Sequence, residues 1–252
     1  MTITLGKKPL LLTLTVLIMH FFFIFAKNKP VDTVVNGVSV EFAFSGEGEN
    51  VQSETQSLYY TLNLELLGLS HEAYEQGMSG YKFLIESGKI RNSEVLTIAD
   101  FSKPSCKKRL FVIDVKNGKL LFNTYVAHGR NSGREVATTF SNDAESFKSS
   151  LGFFVTGDIY NGKHGFSLRL VGEEKGINDN ANNRAIVMHS AAYVSEDAIR
   201  MQGYAGRSLG CPALPVEMNK PIIEKIKNGT CLYLYSPDRY YAAHSTVLKK
   251  VG

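Results

Sequence analysis

The feature that most limits the fold is a succession of short apolar segments broken by turn residues, beginning at Val95. Residues 110–115 and 120–127 flank Asn117-Gly118, a dipeptide that readily takes the left-handed backbone of a two-residue hairpin turn. Leu96, Ile98 and Asp100 alternate with Thr97 and Ala99, the period expected of a strand. Residues 153–156 and 166–170 make two more strands, joined across a turn at 160–165, and 185–189 and 230–235 complete the set. Short strands with turn signals between them predict a mainly β core with peripheral helices.

The helical signals lie before and between these strands. Leu58, Leu62, Leu66 and Leu69 recur at spacings of four and three, an amphipathic stripe. Ser70 reads as the N-cap of a helix over 71–87, with Tyr74, Met78, Tyr81 and Leu84 on or near one face and Gly88 as its stop. Ser195 caps a helix at 196–202 that Gly203 ends, and 217–227 is a further helix. The acidic, Gly- and Asn-rich run 172–183 reads as a long surface loop, with a lid as its functional alternative.

The chain divides by composition. Lys7-Lys8 precede an uncharged run at 9–26 rich in Leu, Ile and Phe, the layout of a secretory signal. A retained membrane tether through 9–26 is the alternative, since a span of that length is at the lower edge of what crosses a bilayer. Either reading puts the body of the protein outside the cytoplasm, in the periplasm or cell envelope. Residues 27–55 are polar and read as a tether, 56–94 as a helical cap segment, 95–236 as the main domain and 237–252 as a tail that is either disordered or packed. The net charge of +4 is too small and too scattered to argue for a nucleic acid partner.

Candidate chemistry concentrates in residues 186–215, where an apolar strand runs into His189 and a Gly-framed turn presents Cys211. A thiolate nucleophile and an imidazole that takes and returns its proton are what covalent acyl transfer needs. Gly210 lets the backbone approach a substrate closely, and the Gly210 and Cys211 amides are candidate oxyanion donors. Arg207 is a candidate fork for a substrate carboxylate, and Tyr160, Lys163 and His164 a groove-lining loop. Ser208 is placed beside them, with steadying of the turn as its expected work. Three cysteines, Cys106, Cys211 and Cys231, allow either a Cys106–Cys231 disulfide or three unbridged thiols. The S-x-x-K match at Ser105 to Lys108 lacks its companion motifs and is read as chance, and the histidines and cysteines show no metal-ligand spacing.

His189-Ser190, seventeen intervening residues, then Ser208-Leu209-Gly210-Cys211 resembles the signature of the peptidoglycan L,D-transpeptidases. That family reads His-Gly, a spacer of similar length, then Ser-His-Gly-Cys-x-Asn. Ser190, Leu209 and Pro212-Ala213 depart from it and point to a divergent branch reading Gly-Cys-Pro-Ala. The resemblance covers roughly 95–236 and implies a β-sandwich-like catalytic domain with an N-terminal helical cap. It also implies that the Ser190 carbonyl orients His189, that peptidoglycan stem peptides are the partners, and that no cofactor is required. Under it, Cys211 forms a thioester that a second stem resolves as a 3–3 crosslink. The alternatives are an L,D-carboxypeptidase, in which water resolves the thioester, and a non-catalytic wall-binding relic. A cysteine peptidase of cell-wall protein ranks last.

Overall fold

The first strand, β1 (Val95–Asp100), is buried at every position, so side-chain alternation does not become alternation of exposure. The reason is its place in the sheet. Its neighbours are β2 (Leu110–Asp114), antiparallel, and β8 (Cys231–Tyr235), parallel. Further out lie β3 (Lys119–Thr124), β4 (Gly152–Gly162), β5 (Gly165–Gly172), β6 (Val187–Ser190) and β7 (Ala213–Leu214). The order across the sheet is β3-β2-β1-β8-β4-β5-β6-β7. The chain leaving β3 then meets the far edge, where Ala127 bridges Ala213 and Gly129 bridges Ser208. The sheet is thereby nearly closed, a mainly β architecture with peripheral helices. This computed structural model describes residues 56–251; the leader expected at 1–26 and the tether at 27–55 lie outside the described residues. Among the described residues no helix is long and apolar enough to cross a membrane.

Helix α1 occupies 56–61 and α2 His71–Glu86. The Ser70 side chain caps α2 by accepting from the Ala73 amide at 3.4 Å, and its own amide donates to Asp100 at 3.0 Å. The start of the helix is thus tied to the end of β1. One face of α2 packs on β1 and β8. The leucine stripe ahead of it does not continue as a helix. Asn63 takes φ 52° and Gly68 φ +93°, the chain turns, and Leu64 and Leu69 are buried while Leu66 is 84% exposed. A helical period cannot select residues once the backbone leaves the helix.

Helix α3 (Glu196–Gln202) has the expected Ser195 cap and ends on Gly203 at φ +84°. Helix α4 (Val216–Ile226) packs on β5 and β6. The turn expected at 160–165 is shorter in fact. Tyr160 pairs with Ser167 and Gly162 with Gly165, so only Lys163 and His164 connect β4 to β5. The run 172–183 is not a free loop either. Glu174 and Asn178 are buried, with Asn178 donating to the Leu151 and Phe153 carbonyls and Glu174 accepting from the Phe153 amide. The tail is packed: α5 (Arg239–His244) and a 3-10 turn at Leu248–Lys250 bury Tyr241 and Val247 in the main core. Cys106, Cys211 and Cys231 are all unbridged, Cys231 lying inside β8.

Candidate active site

His189 sits on β6 and pairs in parallel register with Ala213 on β7. Continuing that register back by two residues sets Cys211 beside Val187. The bonding agrees, because the Val187 amide donates to the Cys211 sulfur at 3.5 Å and the thiol donates to the Ala185 carbonyl at 3.7 Å. Cys211 and His189 are therefore two residue steps apart, about 7 Å along the strand direction. Ala185 holds φ 53°, a conformation uncommon for a residue with a side chain. Its carbonyl reaches the sulfur from that turn.

The imidazole is fixed by its neighbour's backbone. His189 Nδ1 lies 2.9 Å from the Ser190 carbonyl, which can only accept, so Nδ1 carries the proton and the Nε2 lone pair is the basic site. Burial lowers the His189 pKa below its ordinary value, opposed by the Ser190 hydrogen bond and reinforced by His164. His164, at the tip of the β4–β5 hairpin, stacks on His189 with ring centroids 4.3 Å apart. His189 is left only 3% exposed. No hydrogen bond joins His189 to Cys211; such contacts commonly tighten only with substrate in place.

The turn before Cys211 is held from within. Ser208 Oγ accepts from the Gly210 amide at 3.1 Å and donates to the Cys211 carbonyl at 2.6 Å. Gly210 adopts φ +126°, and a Cβ there would fall 2.8 Å from the Lys148 carbonyl, so a side chain has no room. One expectation needs correction. The Gly210 amide is already bonded to Ser208, so it is not a free oxyanion donor. Ser208 is buried and bonded to the Gly210 amide and the Cys211 carbonyl, so it steadies the turn, the work expected of it, and does not face a substrate. The Cys211 amide lies close enough to its own sulfur to favour the thiolate.

Of the remaining expected residues, Arg207 donates to the Arg130 and Gly133 carbonyls at 3.2 and 3.3 Å, which turns its guanidinium to the neighbouring loop. Tyr160 lies beneath the Arg169 guanidinium at 4.6 Å. Lys163 is exposed beside His164. Behind the turn, buried Arg109 donates to His128 Nδ1 at 2.8 Å, and the opposite ring nitrogen donates to the Gly133 carbonyl at 3.2 Å. Burial and the Arg109 charge bring His128 down to about 4, so it stays neutral. The His128 carbonyl accepts from the Ser208 amide, linking this buried pair to the turn.

Two residues near the thiol carry no motif. Arg184 projects from the turn before β6, and Tyr193 from the turn after it. Both interact electrostatically with Cys211. Burial pushes the Cys211 thiol up, while the Val187 amide, Arg184 and its own amide oppose that rise. Only the position of Arg184 immediately before the apolar strand could have flagged it in the sequence. Among the described residues no group of three His, Cys, Asp or Glu is placed to hold a metal ion.

The family profile of the L,D-transpeptidase catalytic domain matches residues 66–235. The chain belongs to this family. Solved L,D-transpeptidase structures resemble it distantly. An L,D-transpeptidase from Mycobacterium smegmatis is 16% identical over 57% of this chain and 59% of its own, at a TM-score of 0.36. L,D-transpeptidase 3 from Mycobacterium tuberculosis is 12% identical over 57% and 61%, at 0.38. A third, from Xylanimonas cellulosilytica, is 15% identical over 61% and 68%, at 0.32. The chain thus spans about three-fifths of the length of the first two, and the family assignment rests on the profile. No curated protein sequence matches the chain.

Within this L,D-transpeptidase domain the three departures from the family signature fall where backbone or solvent decides. Ser190 contributes its carbonyl to His189. Leu209, in place of the second His, is 57% exposed. Ala213 is buried and works through its main chain, bonded to Ala127 and paired with His189.

Proposed function

We propose that this chain is an exported cysteine acyl-transferase that crosslinks peptidoglycan stem peptides. The observation that supports it best is the joint placement of a thiol and an oriented base. Cys211 is held against the strand that carries His189, and the Ser190 carbonyl leaves His189 Nε2 as the free base. In the cycle, Cys211 attacks the carbonyl of the third-position diamino acid and its S–H proton passes to His189. The tetrahedral oxyanion is held by the Cys211 amide. Collapse forms the thioester and expels the terminal D-Ala, whose amine takes the proton back from His189. A side-chain amine of a second stem then attacks the thioester, giving a 3–3 crosslink and freeing the thiol. Water in place of that amine gives L,D-carboxypeptidation. The hydrophobic leader at 9–26 supports export and leaves a cleaved signal and a retained tether both open.

The test is mass spectrometry of disaccharide-tetrapeptide incubated with the purified, reduced protein beside Cys211→Ala. Crosslinked dimer that disappears in the variant is the expected result. Tripeptide alone would reassign the activity to carboxypeptidation. No product, together with no mass gain from a carbapenem at Cys211, would favour a binding relic.

A further inference from the structure

The geometry points to Arg184 as the fixed positive charge that stabilises the Cys211 thiolate as His189 takes its proton, a positioning residue that acts on the sulfur without touching substrate. Both of its terminal nitrogens are tied down. Nη1 donates to the Ser141 carbonyl at 2.8 Å and Ser150 Oγ at 2.6 Å; Nη2 donates to the Lys148 carbonyl at 2.7 Å and Ser146 Oγ at 3.2 Å. All four acceptors are neutral, and no salt bridge to a carboxylate forms. A partly buried cation without an anion is costly unless the site supplies one.

The anion that the reaction creates here is the Cys211 thiolate, with which Arg184 interacts. A Cβ on Gly210 would sit 3.4 Å from Arg184 Nη2, so the guanidinium lies beside the residue that precedes Cys211. The next residue after Arg184 is Ala185, whose carbonyl accepts from the Cys211 thiol. The segments 184–187 and 210–211 therefore run side by side, sulfur against one and cation against the other. The interaction is mutual: the sulfur favours the charged arginine, and the arginine favours the charged sulfur.

The other groups near the thiol cannot take this role. His189 makes no hydrogen bond to Cys211 and burial keeps it neutral, so no imidazolium–thiolate pair is preformed. Tyr193 faces the thiol from the turn after β6, but burial pushes its phenol up to about 12, and it carries no charge near neutral pH. Asp143 is the one carboxylate that Arg184 senses, and it is exposed on the surface. The assignment deepens the acyl-transfer reading of the same cysteine, yet its test does not require turnover.

The experiment follows alkylation of Cys211 in the full chain, in a Cys106→Ser background, by peptide mass spectrometry across pH. The thiolate displaces iodide from iodoacetamide to form an S–C bond, so the rate follows the thiolate fraction. Arg184→Gln is expected to move the midpoint to higher pH and to slow alkylation at pH 7 about threefold or more. Arg184→Lys is expected to keep the midpoint near wild type although its hydrogen bonds change. Equal midpoints for Gln and Lys, in proteins with wild-type melting, would overturn the assignment. A second measurement needs no variant. At pH 8, wild-type Cys211 is expected to favour anionic iodoacetate over neutral iodoacetamide more than glutathione does, and an unchanged preference would overturn the assignment. A shifted midpoint in a protein that makes no crosslink would sink the acyl-transfer reading and leave Arg184's role standing.

Discussion

At the scale of single residues, the imidazole is tuned by what covers it. His189 owes its lowered pKa first to burial, and part of that cover is the His164 ring stacked upon it. A lowered pKa keeps Nε2 unprotonated further into the acid range, where a base must be neutral to accept the thiol proton. His164→Ala removes both cover and charge repulsion, so the His189 pKa rises toward its ordinary value. The acid limb of the pH–rate profile is then expected to move to higher pH, with the alkaline limb, set by other groups, left in place. His164→Phe keeps an aromatic cover and is expected to fall between. A limb that does not move in His164→Ala would mean that the stack has no hold on the base.

At the scale of elements, helix α2 is placed by absence of side chains. A Cβ on Gly80 would lie 2.1 Å from the tip of the Phe153 ring, and one on Gly77 2.9 Å from Ile98. Phe153 is fully buried and stacked on Tyr233 at 4.2 Å, so it has nowhere to move. Alanine gains about 1 kcal/mol over glycine in helix propensity. Here overpacking of about 1–3 kcal/mol opposes that gain. Gly80→Ala is therefore expected to lower the urea midpoint, and a raised midpoint would contradict this packing. Nothing in the sequence around Gly80 announces the contact, because Phe153 is far away along the chain. The same distinction separates what was legible from what was not. Ser70, Ser195 and Gly203 act within one turn of helix, and each holds the role its type suggests. His189 and Cys211 were legible through a motif, and the chain path brings them to neighbouring strands. Arg184 was not, because its partners Ser141, Ser146, Lys148 and Ser150 come from a distant loop. The leucines at 58–69 were misread because a stripe does not reveal where Asn63 and Gly68 turn the chain.

At the scale of the whole molecule, the last residues close the structure although the family match ends at 235. Glu174 is buried, and burial pushes its carboxyl up; hydrogen bonds from Ser245, the Phe153 amide and Tyr241 act against that. Two of those donors come from the tail. Deleting 237–252 would leave Glu174 with the Phe153 amide and would uncover the cavity that Tyr241 fills. An under-bonded buried acceptor costs about 1–3 kcal/mol and loss of a buried aromatic about 3–5 kcal/mol. Together these are comparable to the lower part of the stability range of an ordinary domain, about 5–15 kcal/mol. The truncated protein is expected to melt well below the full chain and to lose its cooperative transition. Tyr241→Phe, which removes the hydroxyl's bonds to Glu174 and from Ser245 but keeps the packing, is expected to cost about 1–3 kcal/mol. An unchanged melting temperature after truncation would make the tail an appendage. The predicted loss instead makes it the piece that fixes β4 and the loop at 173–185, which ends in the turn that positions Arg184 and Ala185 beside the thiol.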